Sequence, residues 1–184
     1  DFWLKIIPGT RVEEISSKFS FTPDLEGYLF PDSYLIPEYF TQDQVISLIK
    51  RNSDIKTSDI TLASLLEREA KTKTDKQMVA GIINNRLKIG MALQIDATVQ
   101  YARDTLTHPA KYWLKLTKSD LKIISPYNTY LNSGLPPAPI CNPGYDSLFA
   151  TQNPIPSNYL YYINGTNGTM HYAKTLSEHN KNIE

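Results

Sequence analysis

The sequence has very little cysteine and histidine, which limits the chemistry that it can use. Cys141 is the single cysteine, so no disulfide can form within the chain, and we expect it to be a small packed residue. The three histidines, His108, His171 and His179, are far apart, and neither an HExxH nor a CxxC motif occurs. We therefore predict that the protein binds no metal ion and needs no cofactor.

The sequence also lacks a long apolar run and an excess of either charge. No segment approaches the roughly 20 consecutive apolar residues that span a membrane, and no signal peptide is visible. The chain opens on DFWLKIIPG without a methionine, and we expect it to be a soluble fragment of a longer protein whose anchor is missing here. Its 19 basic residues match its 19 acidic ones, so no overall field favours a polyanion and we expect no nucleic-acid partner.

The chain is nevertheless long and apolar enough to bury a core. It has 184 residues, 41% of them hydrophobic, and its 12 tyrosines suit a polar ligand such as a sugar. Local patterns predict, in chain order, a strand over 1–7, a helix over 10–19, an irregular connector over 21–40, helices over 42–51, 59–71, 74–89 and 97–103, an irregular Pro-rich region over 107–143, one or two helical turns over 146–152, and a β-hairpin with arms at 159–164 and 170–175.

The limits of these elements are predicted from short-range signals. Thr10 and Thr74 each stand three residues before a Glu or Gln, which is the spacing of a capping box. Ser58 is the expected N-cap of the helix after it, and Gly90 is the expected stop of the helix before it. The segment LEGYLFPDSY, residues 25–34, is too apolar for a solvated linker, so we expect it to pack on the main body.

Two glutamates lie in the predicted helix that contains LASLLEREAK, residues 62–71, and the helical period separates them. Residues three, four and seven apart share a face of a helix. Glu69 follows Leu62, Leu65 and Leu66 by seven, four and three residues, so it continues their apolar stripe. Glu67 points away from that stripe, and we predict a solvated charge that pairs with Lys71 four residues later.

Glu69 has two interpretations on spacing alone. In the first interpretation, the apolar stripe has ended and Glu69 is a structural charge that pairs with Lys73 four residues later. Alternatively, Glu69 is held against apolar surface, where burial disfavours the charged carboxylate and raises its pKa. A carboxylic acid that stays protonated near neutral pH can donate a proton to a leaving group.

Several blocks of the sequence, taken together, resemble one known family. The blocks are LASLLEREA, NNRLKIGMALQIDATVQYA, YNTYLNSGLPPAPICNPGYDSLFA, YLYYI and HYAKTLSEHN, preceded by LEGYLFPDSY. In this order they resemble the endolytic murein transglycosylase family, also called MltG or YceG-like, over about residues 25–180. A set of motifs in a fixed order is far more specific than any one of them.

The resemblance implies a fold and a location. It implies an α+β fold in which residues 21–184 form a mainly helical, lysozyme-like catalytic domain with a small C-terminal β-hairpin. Residues 1–20 would be the tail of an N-terminal LysM-like module. Members are held in the bacterial cytoplasmic membrane by one N-terminal helix, and their catalytic domain lies on the outer face of that membrane.

The resemblance also implies a reaction. Members act on the glycan strands of nascent peptidoglycan, and they cleave the β-1,4 bond between N-acetylmuramic acid and N-acetylglucosamine without adding water. The new end is 1,6-anhydro-N-acetylmuramic acid, and one glutamate serves first as acid and then as base. That glutamate matches Glu69. Cell-wall synthases at the membrane are a further expected partner.

Seven other residues are candidates for binding the glycan, each with a structural alternative. In LQIDATVQYA they are Gln94, Asp96 and Thr98, of which Asp96 has an equal claim to be only a helix cap. In the later loop they are Tyr127, Asn128 and Tyr130, since Tyr faces suit sugar stacking and an Asn side chain can both donate and accept. The alternative there is a packed turn.

The last candidate and a nearby segment complete the set. His171 lies in a predicted strand, where a structural histidine is the commoner case. The segment 134–140, with three prolines, is either a wall of the glycan groove or a rigid connector.

Two other functions remain open at this point. A lysozyme-type muramidase would hydrolyse the same bond, but it needs a second catalytic carboxylate, for instance Asp96. A noncatalytic peptidoglycan-binding or divisome scaffold module would keep the fold without the reaction. The retention of Glu69 and of the polar loops argues against the scaffold.

Overall fold

The computed structural model describes residues 1–15, 18–51, 54–165 and 168–183. The α-helices found in these residues are Gln42–Ile49 (α1), Thr57–Glu69 (α2), Lys73–Lys88 (α3), Asp96–Thr107 (α4), Tyr145–Gln152 (α5) and Leu176–Ile183 (α6). The strands are Phe2–Lys5 (β1), Ser33–Ile36 (β2), Tyr161–Asn164 (β3) and Met170–Ala173 (β4). This confirms the predicted α+β class. None of these helices is both long and apolar enough to cross a membrane.

The first 50 residues share one small core. Strand β1 pairs antiparallel with β2, with Trp3 opposite Leu35, and α1 covers one side of the pair. The buried side chains of this core are Leu4, Ile6, Val12, Leu25, Leu29, Ile36, Val45 and Ile49. The β1–β2 pairing crosses the predicted boundary at residue 20, and the domain division itself stays a prediction.

Two predictions in this region are wrong. Instead of a helix over 10–19, the chain forms a single 3₁₀ turn at Val12–Glu14 and leaves it at Ile15 in an extended conformation; residues 16 and 17 lie outside the described part. The Glu14 carboxylate accepts a hydrogen bond from the Arg11 backbone N–H at 2.9 Å, and the Arg11 side chain is buried under the ring of Tyr101. Tertiary contacts therefore hold this segment in place of a helical ladder. In addition, the predicted connector over 21–40 contains β2, which was not predicted.

The main core is built around α2. It joins the buried faces of α2, α3 and α4 to the Pro-rich region and the C-terminal hairpin, and its buried members are Leu62, Leu65, Leu66, Ala70, Val79, Ala80, Ile83, Leu93, Ile95, Ala97, Tyr101, Ile140, Ala150 and Met170. The predicted stripe Leu62, Leu65 and Leu66 belongs to it. Helix α2 is also buried on its other side, where Ile60, Ala63 and Ser64 lie.

The second side of α2 is covered by two irregular segments. The Ile140 backbone N–H donates to the Ser64 hydroxyl at 3.1 Å, and the buried Cys141 thiol donates to the Ser64 carbonyl. Gly27 lies against Pro139, and a Cβ added at Gly27 would be 2.4 Å from the Pro139 Cβ. Gly27 also has φ +83°, a conformation that residues with a Cβ rarely adopt. The segment 25–34 thus packs on the main body, as predicted, and residues 134–140 help to hold it there.

The helix limits follow the predicted signals with small shifts. The predicted capping box at Thr74 is wrong, because Thr74 lies inside the first turn of α3. The N-cap of this helix is Thr72, whose hydroxyl accepts from the Asp75 N–H at 3.1 Å. Helix α2 has Lys56 at its N-cap and Ser58 inside its first turn, so the predicted cap is wrong. Gly90 follows the end of α3 with φ +68°, which confirms the predicted stop.

The C-terminal hairpin is confirmed, and a helix follows it. Strands β3 and β4 pair antiparallel with Tyr162 opposite Tyr172; residues 166 and 167 of the connection lie outside the described part. Helix α6, which was not predicted, packs on the hairpin through a stack of His179 on Tyr161 with ring centroids 5.3 Å apart.

Glu67 is not the solvated charge that the helical period predicts. Only 11% of its side chain is exposed, and it pairs with Lys76 of α3 rather than with Lys71, at 2.9 Å. The same carboxylate accepts from the Gly144 backbone N–H at 2.9 Å and from the Ser147 hydroxyl at 2.6 Å. Glu67 therefore joins α2 to α3 and to the start of α5.

We predict that Glu67→Gln lowers the free energy of unfolding by about 2–4 kcal/mol. The amide keeps an acceptor for Gly144 but leaves the buried Lys76 ammonium without its counter-ion, and breaking a buried pair costs about 3–5 kcal/mol when nothing compensates. Urea denaturation measures the change. Glu38→Gln is the control, because the Glu38 side chain is 70% exposed and exposed pairs contribute about 0–1 kcal/mol. Equal stability of the two variants would contradict the anchoring role.

Candidate functional site

A cavity of about 530 Å³ lies where the C-terminal end of α2 meets the segment before α4, strand β3 and helix α6. The residues that line it are Arg68, Glu69, Arg86, Leu93, Gln94, Asp96, Tyr130, Tyr161, Tyr162, Ile163, Asn164, Leu176 and His179. They come from distant parts of the sequence, and most of their side chains are polar or aromatic. The lining suits a polar, hydroxyl-rich ligand.

Glu69 is the last residue of α2 and lies half-buried in this cavity. The Tyr162 hydroxyl donates to its Oε2 atom at 2.8 Å, and the Asn164 side-chain amide donates to its backbone carbonyl at 3.4 Å. Both partners are on β3. The hairpin therefore fixes the orientation of the carboxyl group that the helix brings to the cavity.

The surroundings of Glu69 favour its protonated form. The pKa of Glu69 is raised to about 7. Desolvation by burial is the largest cause and the nearby Asp96 carboxylate adds to it, while the Tyr162 hydrogen bond and the arginines Arg68 and Arg86 act in the opposite direction. Burial also raises the pKa of Tyr162 well above its usual range, and the adjacent Glu69 carboxylate adds to this. Tyr162 thus stays a neutral donor, and Glu69 exchanges its proton near neutral pH.

The alternative interpretation of Glu69 as a partner of Lys73 does not hold. The Lys73 ammonium lies over the Phe149 ring, 3.5 Å from its centroid. Among the described residues, no ion pair within 4.0 Å involves Glu69. Glu69 therefore continues the buried stripe of α2, as the helical spacing predicts.

Three of the seven predicted binding residues line the cavity beside Glu69: Gln94, Asp96 and Tyr130. Asp96 does not cap α4, whose N-cap is Ile95. Instead, the Asp96 carboxylate accepts a hydrogen bond from the Tyr130 hydroxyl at 2.6 Å. Asp96 is the second carboxylate of the cavity.

Gln94 reaches the cavity through an unusual backbone conformation. Its φ of +50° lies in the left-handed region, which is uncommon for a residue other than glycine. Two hydrogen bonds to Thr129 hold the segment: the Gln94 N–H donates to the Thr129 carbonyl at 3.1 Å, and the Ile95 N–H donates to the Thr129 hydroxyl at 3.0 Å. Such strain concentrates at functional sites.

Three other predicted residues lie behind the cavity wall rather than on it. The buried Thr98 hydroxyl bonds to the Thr129 hydroxyl at 2.9 Å. The buried Asn128 amide donates to the carbonyls of Leu121 and Ile123, and Tyr127 packs its ring on Tyr101. These contacts hold the loop that carries Tyr130.

The two histidines of the hairpin region are placed differently. His171 is exposed on β4 and does not line the cavity. His179 of α6 does line it, and its Nδ1 atom is buried and has no hydrogen-bond partner among the residues that the structure describes. Desolvation, with a contribution from Arg86, lowers the pKa of His179, so its neutral form is favoured.

The sequence pattern missed two residues that shape the cavity around Glu69. Arg86 is buried in α3, and its guanidinium donates to the carbonyls of Leu160 and Leu93 at 2.6 and 2.5 Å. Tyr162 was seen only as part of a strand. An arginine on the apolar side of a predicted helix is the one local signal that pointed to Arg86; nothing local marks Tyr162, which is 93 residues from Glu69.

The described part of the chain holds no group of three or more His, Cys, Asp or Glu side chains that could bind a metal ion. The two carboxylates, the tyrosines and the amide groups of the cavity can bind sugar hydroxyls and exchange protons with them.

Known proteins resemble this chain over nearly its full length. Proteins named endolytic murein transglycosylase match it in Bacillus subtilis, with 39% identity over 96% of this chain, and in Streptococcus pneumoniae, with 33% identity over 86%. The match spans 52% of the Bacillus protein and 32% of the pneumococcal one, so the chain covers about half of the first relative and about a third of the second. A crystal structure titled as a YceG-like protein from Listeria monocytogenes superimposes with a TM-score of 0.75 and 36% identity, covering 94% of this chain and 60% of that one.

The family model described as YceG-like matches residues 4–184. This range includes every residue that lines the cavity. It also includes both hydrophobic cores. The chain belongs to the YceG-like family.

Proposed function

We propose that this chain carries the catalytic part of an endolytic peptidoglycan lytic transglycosylase. The observation that supports this most strongly is Glu69, a desolvated carboxyl with a pKa of about 7 in a polar, tyrosine-rich cavity. A group with this pKa can both give and take a proton at neutral pH. The relatives named endolytic murein transglycosylase support the substrate, a glycan strand of peptidoglycan.

The reaction uses one carboxyl group twice. Protonated Glu69 first gives its proton to the glycosidic oxygen while the bond from that oxygen to C1 of the muramyl sugar breaks. The resulting Glu69 carboxylate then takes the proton of the C6 hydroxyl of the same sugar, and O6 bonds to C1. The 1,6-anhydro ring closes, no water is consumed, and Glu69 is protonated again. Because the attacking hydroxyl is tethered, part of the entropic cost is absent.

Other residues of the cavity have defined parts in this scheme. Tyr162 orients the Glu69 carboxyl through its 2.8 Å hydrogen bond. Positive charge develops on C1 as the bond breaks, and the Asp96 carboxylate, held by Tyr130, can stabilise it. Gln94 offers both a donor and an acceptor to the sugar. Thr98, Tyr127 and Asn128 would act through the loop that they hold, and His171 at most at its edge.

A lysozyme-type muramidase is the second candidate, and Asp96 is the observation that favours it. Hydrolysis of a glycoside usually needs a pair of carboxyl groups on either side of the bond. Glu69 and Asp96 line the same cavity, and Asp96 raises the pKa of Glu69. The scaffold alternative has no such support, because a noncatalytic module has no need of a desolvated carboxyl group.

The proposal includes a setting as well as a reaction. We expect a lysozyme-like catalytic domain and the remnant of a LysM-like module at the start of the chain. We place the full-length protein at the outer face of the bacterial cytoplasmic membrane, with cell-wall synthases as neighbours.

We predict that Glu69→Gln lowers turnover of purified glycan strands by at least about 100-fold, because general acid–base catalysis contributes about 10²–10⁴-fold. The amide keeps the shape of the side chain and can accept from Tyr162, but it cannot donate a carboxyl proton. Release of soluble products, followed by mass spectrometry, measures the effect. Glu38→Gln is the matched control and should behave as the wild type. A folded Glu69→Gln variant with normal turnover would refute the assignment.

We predict that turnover falls as pH rises above about 7, because the first step needs protonated Glu69. Tyr162→Phe should move this alkaline limb to higher pH, since it removes the hydrogen bond that lowers the pKa of Glu69. The pH dependence of kcat/KM for both proteins measures the shift. A limb that does not move, or that moves to lower pH, would show that another group controls it.

The same pKa shift predicts an effect on stability. The pKa of Glu69 in the folded protein, about 7, lies above the value in the unfolded chain, so the folded state holds the proton more tightly. Stability is therefore lost as pH rises from about 4.5 to 7. Glu69→Gln should escape this loss, and its melting temperature relative to the wild type should be higher at pH 8 than at pH 4. This comparison also reports whether the variant is folded.

We predict that products formed in H₂¹⁸O end in anhydro-muramic acid, carry no label and are one water lighter than hydrolysis products. The reason is that O6 of the sugar, rather than water, attacks C1. Mass spectrometry of the new ends measures both properties. Incorporation of ¹⁸O at the new reducing end would instead establish the muramidase.

A further inference from the structure

Arg68 stands out among the residues of the cavity because its side chain is exposed and, within the described part of the chain, pairs with no carboxylate. The guanidinium of Arg86, the other arginine of the lining, donates hydrogen bonds to the backbone carbonyls of Leu160 and Leu93. Among the described residues, the Arg68 guanidinium forms no ion pair and donates no hydrogen bond. Its planar fork of N–H donors is therefore available to a ligand.

The position of this free guanidinium is nevertheless fixed. Its central carbon lies over the Trp113 ring, 4.0 Å from the ring centroid, which is within the range of a cation–π contact. On another side, a carbon added at Gly9 would be 3.3 Å from the Arg68 Nη1 atom. Arg68 is thus held between Trp113 and the loop that follows β1, beside the mouth of the cavity.

Trp113 itself has a strained backbone conformation. Its φ of +64° is a left-handed conformation that bulky residues rarely adopt. Two carboxylates from separate elements hold it there: Asp104 of α4 accepts from its backbone N–H at 2.8 Å, and Glu14 accepts from its indole N–H at 2.9 Å. A strained aromatic residue that supports an unpaired arginine at the edge of a catalytic cavity indicates a binding element.

We propose that Arg68 binds a carboxylate on the lactyl arm of the muramyl sugar whose C1 is attacked. This inference rests on the proposed function and adds a specificity element to it. The arm leaves the same ring on which Glu69 acts, and Arg68 directly precedes Glu69 in the chain and lines the same cavity. A carboxylate accepts two parallel hydrogen bonds from a guanidinium, which a neutral sugar group cannot do.

The other charges of the cavity favour a single carboxylate over a phosphate. Glu69 and Asp96 are both acidic groups of the same cavity, and they would repel a multiply charged anion. Arg68 is the one arginine of the described lining that is free to neutralise it. The carboxylate has two possible sources: the lactyl group itself in strands without peptides, or a stem peptide attached to that group.

Four glycan substrates separate these sources. Two are uncross-linked strands with stem peptides and the same strands after enzymatic removal of the peptides. The other two are the methylamide forms of these strands, in which the stem-peptide carboxylates or the lactyl carboxylates have been converted. The proteins are the wild type, Arg68→Gln, Arg68→Lys and the control Lys71→Gln, which removes an exposed charge three residues further along.

We expect Arg68→Gln to raise KM about tenfold on the strand that carries the recognised carboxylate, the lower end for a hydrogen bond to a charged group. We expect Arg68→Gln to change kcat little and to leave KM unchanged on the strand whose recognised carboxylate has been converted to a methylamide. The wild type should show about the same tenfold increase in KM when it acts on that methylamide strand. Arg68→Lys should recover only part of the affinity, because an ammonium lacks the planar fork. An effect confined to peptide-bearing strands assigns the stem carboxylate, and one confined to peptide-free strands assigns the lactyl group. An equal effect of Arg68→Gln on charged and methylamide strands, or none on either, would overturn the proposal.

Binding without turnover keeps this inference separate from the proposed reaction. The chain has 2 tryptophans, and Trp3 is 70% exposed, so Trp3→Phe leaves Trp113 as the reporter beneath Arg68. Fluorescence titration of the Trp3→Phe/Glu69→Gln protein with the same strands should show carboxylate-dependent binding that Arg68→Gln weakens about tenfold. If the strands bind in this way but the protein that retains Glu69 cleaves nothing, the proposed reaction is refuted and the anion site stands. If the wild type cleaves the strands but binding depends on neither Arg68 nor the carboxylate, the anion site is refuted and the reaction stands. Wild-type protein that neither binds nor cleaves would overturn both proposals.

Discussion

The burial of α2 on more than one side is the constraint on which the rest of the structure depends. Seven consecutive residues of this helix, from Ile60 to Leu66, are buried, so its direction is fixed by contacts from α3, α4 and α5 and by the Pro-rich region. A helix held in this way delivers its last residue to a defined point. That residue is Glu69, and its proton chemistry is set by where the helix ends.

The same constraint explains which parts of the site the sequence could predict. Helical spacing placed Glu69 on the stripe of Leu62, Leu65 and Leu66 because this stripe is a local pattern, but spacing alone left its role open. The same spacing wrongly predicted a solvated Glu67, because it assumes that the face of a helix opposite its apolar stripe is exposed to water. Here that face meets α5 and α3, and the Glu67 carboxylate is used to join them. Only the tertiary packing distinguishes a solvated charge from a buried one.

Other differences between expectation and structure have the same physical origin. Strand β2 lies in a segment with too few alternating residues to predict a strand, and its pairing with β1 defines it. The Thr10 capping box had the right spacing, but a buried Arg11 under the Tyr101 ring overrides it. Short-range signals succeeded where they act alone, as at Gly90, and in the hairpin. They could not reveal Tyr162, which contacts Glu69 across 93 residues of chain, or the Glu14 carboxylate, which supports Trp113 across 99 residues.

The positions of the two glutamates relative to helix ends have an electrostatic consequence. Aligned peptide dipoles give the N-terminal end of a helix a partial positive charge and the C-terminal end a partial negative one. Glu67 places its carboxylate at the start of α5, where its partners are the N–H of Gly144 and the hydroxyl of Ser147, so its negative charge lies at the positive end of that helix. Glu69 lies at the end of α2, where the field of its own helix opposes ionisation and acts in the same direction as the burial that raises its pKa. Two residues that are only two positions apart in the sequence thus lie at helix ends of opposite polarity.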